Sequence, residues 1–444
     1  MNKNKSLVER GNEVLSPALT HATTIEVVRG KGVYLYDKEG REYLDFATGI
    51  AATATGHCHP KIVSAAERQI KNLIHACSGI VYYEQNILLA EKLKEISPKG
   101  LAMTFFGQSG SEAVEGAIKA AKYVSKKTAL IAFQGSFHGR TLGALSVTFS
   151  KAKYREGYEP LIPNVYLAPY PYCYRCDKKM KTFKPKTKGE DFPVPEGCKL
   201  ECLRDTETVI KKIMGAGIAG VIVEPVQGEG GYIVPPKEFI TGLRELCDKY
   251  GIFLIFDEVQ TGFGRTGKMF AAEHFEVSPD LLAMAKGIAS GFPLGATIGT
   301  EAVMKNWSPG AHGSTMTGNP VTCAAALANI DVLETEGLIE NSKNMGRYFK
   351  DKLEELAEKY DVMGDVRGIG LMIGVEFIKP GTKEPNPDIV KKIRELSLKD
   401  GLIMISCGSH DQVMRMVPAL LVTKEQIDKA LEIFEKALAT AIKG

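Results

Sequence analysis

The sequence predicts an α/β protein, with a large domain on a mostly parallel sheet and a smaller α+β domain after it. Three observations carry this reading. Short apolar runs at 130–133, 220–224 and 252–257 have strand length and no polar alternation, as strands covered on both faces do. Amphipathic stretches of helical period at 112–124 and 237–250 lie among them. Glycine, with 45 residues, gathers at the ends of apolar runs, where turns and close backbone approaches need it.

Taken in order, the first stretch reads as short strands. Residues 32–37 alternate, 38–41 turn and 42–46 return, which predicts a hairpin. Residues 1–60 are expected to join the small domain, 61–325 to form the large domain, and 326–444 to form the small one. In the last part, helices are expected at 346–359, 388–400 and 424–438, with strands near 372–377 and 414–417. Residues 173–202 break the pattern: rich in Lys, Pro and Cys and without periodicity, they read as an inserted loop.

The 444-residue chain carries 56 basic and 53 acidic side chains, a net charge of +3, which argues against a nucleic-acid partner held by a basic face. With 44% hydrophobic and 25% charged residues it can bury a large core, which excludes a disordered chain. No apolar run approaches the roughly 20 residues of a membrane span. The first ten residues have no apolar stretch of a secretory signal. Nine cysteines in so long a chain do not make a disulfide scaffold, so the cytoplasm is the expected compartment.

Four features can carry chemistry. Asp257 closes an apolar strand run, where open α/β sheets place ligands; alone, such an aspartate is commonly a helix cap. Lys286 follows 29 residues later, after a second short apolar run and before Gly287, Gly291 and Gly295; alone, a lysine is most often at the surface. Ser109, Gly110 and Ser111 run straight into an amphipathic helix, whose free N–H groups and dipole suit a phosphate, although Ser111 is also a fair N-cap. Phe137-His138-Gly139-Arg140 offers a stacking ring and a carboxylate fork. A phosphate cradle, a stacking ring, an acid at a strand end and a lysine together suit pyridoxal 5'-phosphate. The lysine forms a Schiff base and the acid keeps the pyridine nitrogen protonated.

These motifs, with Gly56-His57-Cys58-His59-Pro60, the 224–231 block, 257–268, 286–295, 315–320 and 366–371, run in the order found in the class III aminotransferases. The sequence resembles that family, of fold-type I, from about residue 30 to 440. The resemblance implies a seven-stranded, mostly parallel sheet in the large domain. It makes Lys286 the Schiff-base lysine and acid/base, and Asp257 the partner of the pyridine nitrogen. It puts Phe137 and Val259 on the two ring faces, and Gln260 at the ring hydroxyl. His138 joins the cofactor set. Ser109, Gly110 and Ser111 bind the phosphate, with Thr315 reaching it from a neighbouring subunit, so a homodimer is the smallest active unit; a tetramer of paired dimers satisfies the same need. For substrate, the resemblance makes Arg367 the carboxylate-binding arginine, neutralised by Glu229 when that carboxylate is absent. Arg140 holds a second carboxylate and Ile50 lines the pocket.

Ornithine aminotransferases usually carry tyrosine where Ile50 stands. The racemases of the family often have Gln and Asp in place of Arg140 and Glu229. The constellation looks most like 4-aminobutyrate aminotransferase, with 2-oxoglutarate as acceptor and a ping-pong course. Acetylornithine aminotransferases share Ile50, Arg140 and Glu229, and a racemase or epimerase is the further alternative. Gln108 stands where Asn or Thr is commoner.

The insertion is separate from this chemistry. Cys173 and Cys176 are spaced C-x2-C, Cys198 and Cys202 C-x3-C, with 21 residues between the pairs. Four thiolates so spaced can hold a structural zinc; free thiols or disulfides in a surface loop are the other reading. The five remaining cysteines are expected to be small buried residues.

Overall fold

In the computed structural model, residues 5–176, 192, 195 and 197–443 are described. Val27–Lys31 (β1), Tyr34–Asp37 (β2) and Glu42–Asp45 (β3) form an antiparallel meander, which contains the predicted hairpin. The large sheet then assembles from Leu101–Gly107 (β4), Ala129–Phe133 (β5), Val165–Ala168 (β6), Ile218–Val223 (β7), Phe253–Asp257 (β8), Leu281–Met284 (β9) and Gly295–Thr300 (β10). Its spatial order is β4-β10-β9-β8-β7-β5-β6. Neighbours from β9 through β6 run parallel, and β10 runs antiparallel to both β4 and β9. The sheet is therefore seven-stranded and mostly parallel, as expected.

The absence of polar alternation has a simple cause. Leu130, Ala132, Ile222 and Ile255 pack on one face against Ala113, Val114, Ala117 and Ala121 of the helix Gly110–Ser125. Ile131, Phe133, Val223 and Phe256 belong to the core on the other face, with Phe239, Ile240 and Leu243 of the helix Lys237–Tyr250. Each strand thus buries both of its faces, at about 25 cal/mol per Å² of apolar surface.

The C-terminal part adds Met363–Ile369 (β11), Met372–Phe377 (β12), Leu402–Ile403 (β13), Ile405–Cys407 (β14) and Val413–Met416 (β15). Four of them form the antiparallel sheet β11-β12-β15-β14. The short β13 instead pairs in parallel with β3, so the first and last parts of the chain share one sheet. The helices Leu338–Lys359, Pro387–Lys399 and Lys424–Lys443 accompany these strands. The first of them starts well before the expected Gly346. That glycine is mid-helix because a Cβ there would stand 2.1 Å from the carbonyl oxygen of Gly370. The helix Pro320–Thr335 runs across residues 325 and 326. Among the described residues no helix is long and apolar enough to cross a membrane.

Candidate active site

The carboxyl ends of four parallel strands open on one place, as in other open α/β sheets. After β5 the chain brings Phe137, His138 and Gly139. After β7 comes Glu224, at the end of β8 Asp257, then Val259 and Gln260, and after β9 Ala285 and Lys286. All line one cavity of about 290 Å³, together with Ser109, Gly110 and Ser111 at the start of the helix Gly110–Ser125. Every cofactor residue expected from the sequence lies here except Thr315. That residue is exposed and absent from the lining of its own chain's cavity.

Lys286 sits just past β9 with φ +47°, a left-handed conformation that costs a non-glycine residue and calls for support. Buried Asn329 gives it: its amide donates to the carbonyls of Gly287 at 2.7 Å and Ile288 at 3.1 Å. Burial pushes the Lys286 ammonium down to about 8, and the Arg415 guanidinium works in the same direction; Asp257, Glu224 and Glu229 oppose them. Asp257 is fixed by two contacts. One oxygen lies 2.7 Å from His138 Nδ1, and the other accepts the Val259 N–H at 3.0 Å. Glu224, to which no role was given from sequence, accepts the Phe137 and Gly228 N–H groups at 2.9 and 2.8 Å, and burial raises its pKa to about 7.

The residues fit pyridoxal phosphate. His138 Nε2, Gln108 Nε2 and Gln260 Oε1 are buried without a partner among the described residues, and such atoms await a polar ligand. Ser109 caps the helix by accepting the Glu112 N–H at 3.2 Å, leaving the first-turn amides and the helix dipole for an anion. The cradle is tight. A Cβ on Gly110 would come within 2.8 Å of Val259, and one on Gly139 within 2.3 Å of the Ser111 hydroxyl.

The substrate residues call for a correction. Glu229 does not pair with Arg367. Its Oε2 accepts from Arg415 at 2.9 Å, while Oε1 accepts from Lys151 at 3.0 Å and the Tyr154 hydroxyl at 2.8 Å. Burial would raise the Glu229 carboxyl, but Arg415 and Lys151 hold it below its ordinary value. The sheet gives the reason for the exchange. Arg367 and Arg415 both stand opposite Gly374, on β11 and β15, so their side chains share a face. Arg367 is already bound to Asp365 and Glu376, each at 2.7 Å, and to the Gly231 carbonyl at 2.8 Å. Arg415 is left to meet Glu229. The available signal was an arginine inside the apolar run Val413-Met414-Arg415-Met416-Val417, because a buried guanidinium needs a partner. Lys151 was also missed. It is buried between Glu229 and Asp411, the latter at 2.5 Å; burial would lower its pKa, but the two carboxylates hold it above the ordinary lysine value.

Ile50, Tyr154, Lys151, Glu229 and Arg415 line a second, larger cavity of about 760 Å³. Ile50 reaches it from a left-handed turn in which Thr48, Gly49, Ile50 and Ala51 all have positive φ. Arg140 is exposed, its guanidinium 3.5 Å over the Tyr154 ring, and among the described residues no carboxylate lies within 4 Å of it. The four insertion cysteines line another cavity together, all as free thiols. Yet no three metal-ligating side chains among the described residues are grouped to hold an ion, so the zinc expectation gains no support. The rest of the insertion, residues 177–191, 193, 194 and 196, lies outside the described residues.

A lysine, an aspartate and a phosphate cradle at the strand ends of this sheet define a pyridoxal-phosphate enzyme. The family described as aminotransferase class-III matches residues 16–438, and the chain belongs to it. It is thus a pyridoxal-phosphate-dependent aminotransferase. Relatives include the acetylornithine aminotransferase of Methanocaldococcus jannaschii, 42% identical with 93% of each chain covered. The alanine/serine racemase of Pyrococcus horikoshii is 39% identical, covering 99% of this chain and 91% of its own. The 4-aminobutyrate aminotransferase of Escherichia coli is 38% identical, covering 99% and 100%. Among solved structures, an aminotransferase from Vibrio fluvialis in its PMP-bound form has a TM-score of 0.89 at 28% identity, over 100% of this chain and 99% of its own.

Proposed function

We propose that this aminotransferase takes the amino group of an ω-amino acid such as 4-aminobutyrate and passes it to 2-oxoglutarate by a ping-pong course. The observation that carries the reading is the shared carboxylate of Glu229. With Arg415 paired to Glu229, a donor that carries no carboxylate beside its amine meets no free cation there. Its distant carboxylate has Arg140, which has no carboxylate partner among the described residues. When a diacid enters, Arg415 turns to its carboxylate in a bidentate grip. Glu229 keeps Lys151 and Tyr154 on its other oxygen and need not be left as an unpaired buried charge.

Pyridoxal phosphate, when bound, supplies the electron sink for the carbon that bears the amine. Lys286 Nζ moves the proton at that carbon. With its pKa near 8 it changes protonation at little cost near neutral pH. Asp257, steadied by His138 at 2.7 Å, would hold the cofactor ring nitrogen protonated, and Ser109, Gly110 and Ser111, which line the same cavity, would hold the phosphate. Phe137 and Val259, which line the cavity, would keep water from the two faces of the ring. Thr315, exposed on its own chain, serves the site of a second subunit, so the active unit is a homodimer.

A panel of 4-aminobutyrate, ornithine, N-acetylornithine, lysine and neutral amino acids with 2-oxoglutarate, scored by glutamate formed, tests this. The expected order puts 4-aminobutyrate first. The 760 Å³ cavity beside Ile50 favours one second reading, a bulkier acylated donor such as N-acetylornithine, and its leading the panel would replace the first. Interconversion of one alanine enantiomer without any keto acid would overturn both in favour of a racemase.

A further inference from the structure

The feature that amino transfer leaves unused is a small basic hollow where three chain segments meet. The helix Leu338–Lys359 turns Lys343, Arg347 and Lys350 to one side, because positions four and seven apart share a face. Lys268 stands with them, eleven residues beyond Asp257. The four cations line a cavity of about 110 Å³, and among the described residues no aspartate or glutamate joins the lining.

The floor is backbone. A Cβ on Gly346 would stand 2.1 Å from the Gly370 oxygen, one on Gly370 2.4 Å from the Thr266 carbonyl carbon, and one on Gly267 2.9 Å from Lys343 Cβ. The three segments are thus jammed together at glycines, and His274 joins the lining with its Nε2 3.1 Å from the Thr266 carbonyl oxygen and hydroxyl. Compensation of the charge is sparse. Lys343 pairs with Glu340 at 3.6 Å, both more than half exposed. Among the described residues, no carboxylate lies within 4 Å of Lys268, Arg347 or Lys350. Elsewhere on this surface exposed lysines do find acids, as Lys305 finds Glu301 and Lys352 finds Glu355, both at 2.8 Å. Like charges kept around a concavity raise the local potential and draw a counter-ion.

We infer that this hollow is a binding site for a phosphate-class oxyanion, free or as a phosphomonoester, separate from the cofactor cavity. Arg347 offers a planar fork and the three lysines offer point charges, a donor set that matches tetrahedral oxygens. The hollow shares no lining residue with the cofactor cavity, so it can be filled while the cofactor is in place.

The test is calorimetric titration of the cofactor-saturated enzyme with sodium phosphate, at an ionic strength held constant with chloride. A parallel arm uses glycerol 3-phosphate, and cofactor absorbance is followed throughout. One saturable site per chain is expected in at least one arm, with no change in absorbance. Arg347→Ala/Lys350→Ala, the first position exposed and the second half-buried, should lose at least tenfold in affinity while keeping its cofactor spectrum. Should that double variant lose its cofactor, Lys268→Ala replaces it under the same criterion. Tighter binding of the ester assigns a phosphomonoester, and tighter binding of phosphate assigns the free ion. No saturable binding in either arm, an unchanged affinity in the variant, or equal binding of chloride overturns the site.

Discussion

At Lys286 a single side chain shows how burial tunes chemistry. Its ammonium is pushed down to about 8, against an ordinary value of 10.5. In the enzyme stripped of cofactor, the cost of burying that charge is fully present below pH 8. It is relieved as pH rises from 8 toward 10.5, where the unfolded chain still binds the proton and the folded one does not. Melting temperatures of the stripped wild type and of Lys286→Met should therefore converge across that window, with the variant the more stable at pH 7. A gap that does not change with pH would contradict this account. The two arginines opposite Gly374 separate by the same kind of measurement. Arg415→Gln should raise KM for 2-oxoglutarate roughly tenfold or more, the worth of a charged hydrogen bond, and spare the half-reaction with 4-aminobutyrate. Arg367→Gln leaves the half-buried Asp365 unpaired, and should cost about 1–3 kcal/mol of stability in denaturant unfolding.

At the scale of elements, glycine positions decide where helices and turns can meet. Within the helix Leu338–Lys359, Gly346→Ala gains about 1 kcal/mol of helix propensity. It also drives a methyl into the Gly370 carbonyl, an overlap that backbone cannot yield cheaply. Net destabilisation of about 1–3 kcal/mol is expected, read as a lower urea midpoint at unchanged m-value. The sequence reading began this helix at that same glycine, for a physical reason: periodicity cannot tell a glycine that ends a helix from one that lets another backbone touch it. The long, strongly periodic elements were legible. The helix Lys237–Tyr250 and the strand Met372–Phe377 have the expected bounds, because their apolar residues face one continuous core. The parallel pairing of Leu402–Ile403 with β3 was not legible, since two residues carry no period.

At the scale of the whole molecule, the proposed homodimer is testable by mixing subunits. Lys286→Ala and a Thr315 variant that is inactive by itself should recover activity when mixed, since a heterodimer then holds one intact site. No recovery would remove Thr315 from the shared site. The sequence by itself picked out residues that line the candidate cofactor cavity, Thr315 apart. Ser109 to Ser111, Phe137 to Gly139, Asp257, Val259, Gln260 and Lys286 lie in local motifs at strand ends, and each strand end delivers its residues to the same edge whatever the rest of the chain does. Only the tertiary structure decided which arginine meets Glu229. Arg367 and Arg415 lie 48 residues apart, in similar apolar strands, and are level across Gly374. Which of them is left to meet Glu229 depends on Asp365, Glu376 and the Gly231 carbonyl, groups brought together by folding and by no spacing in the chain.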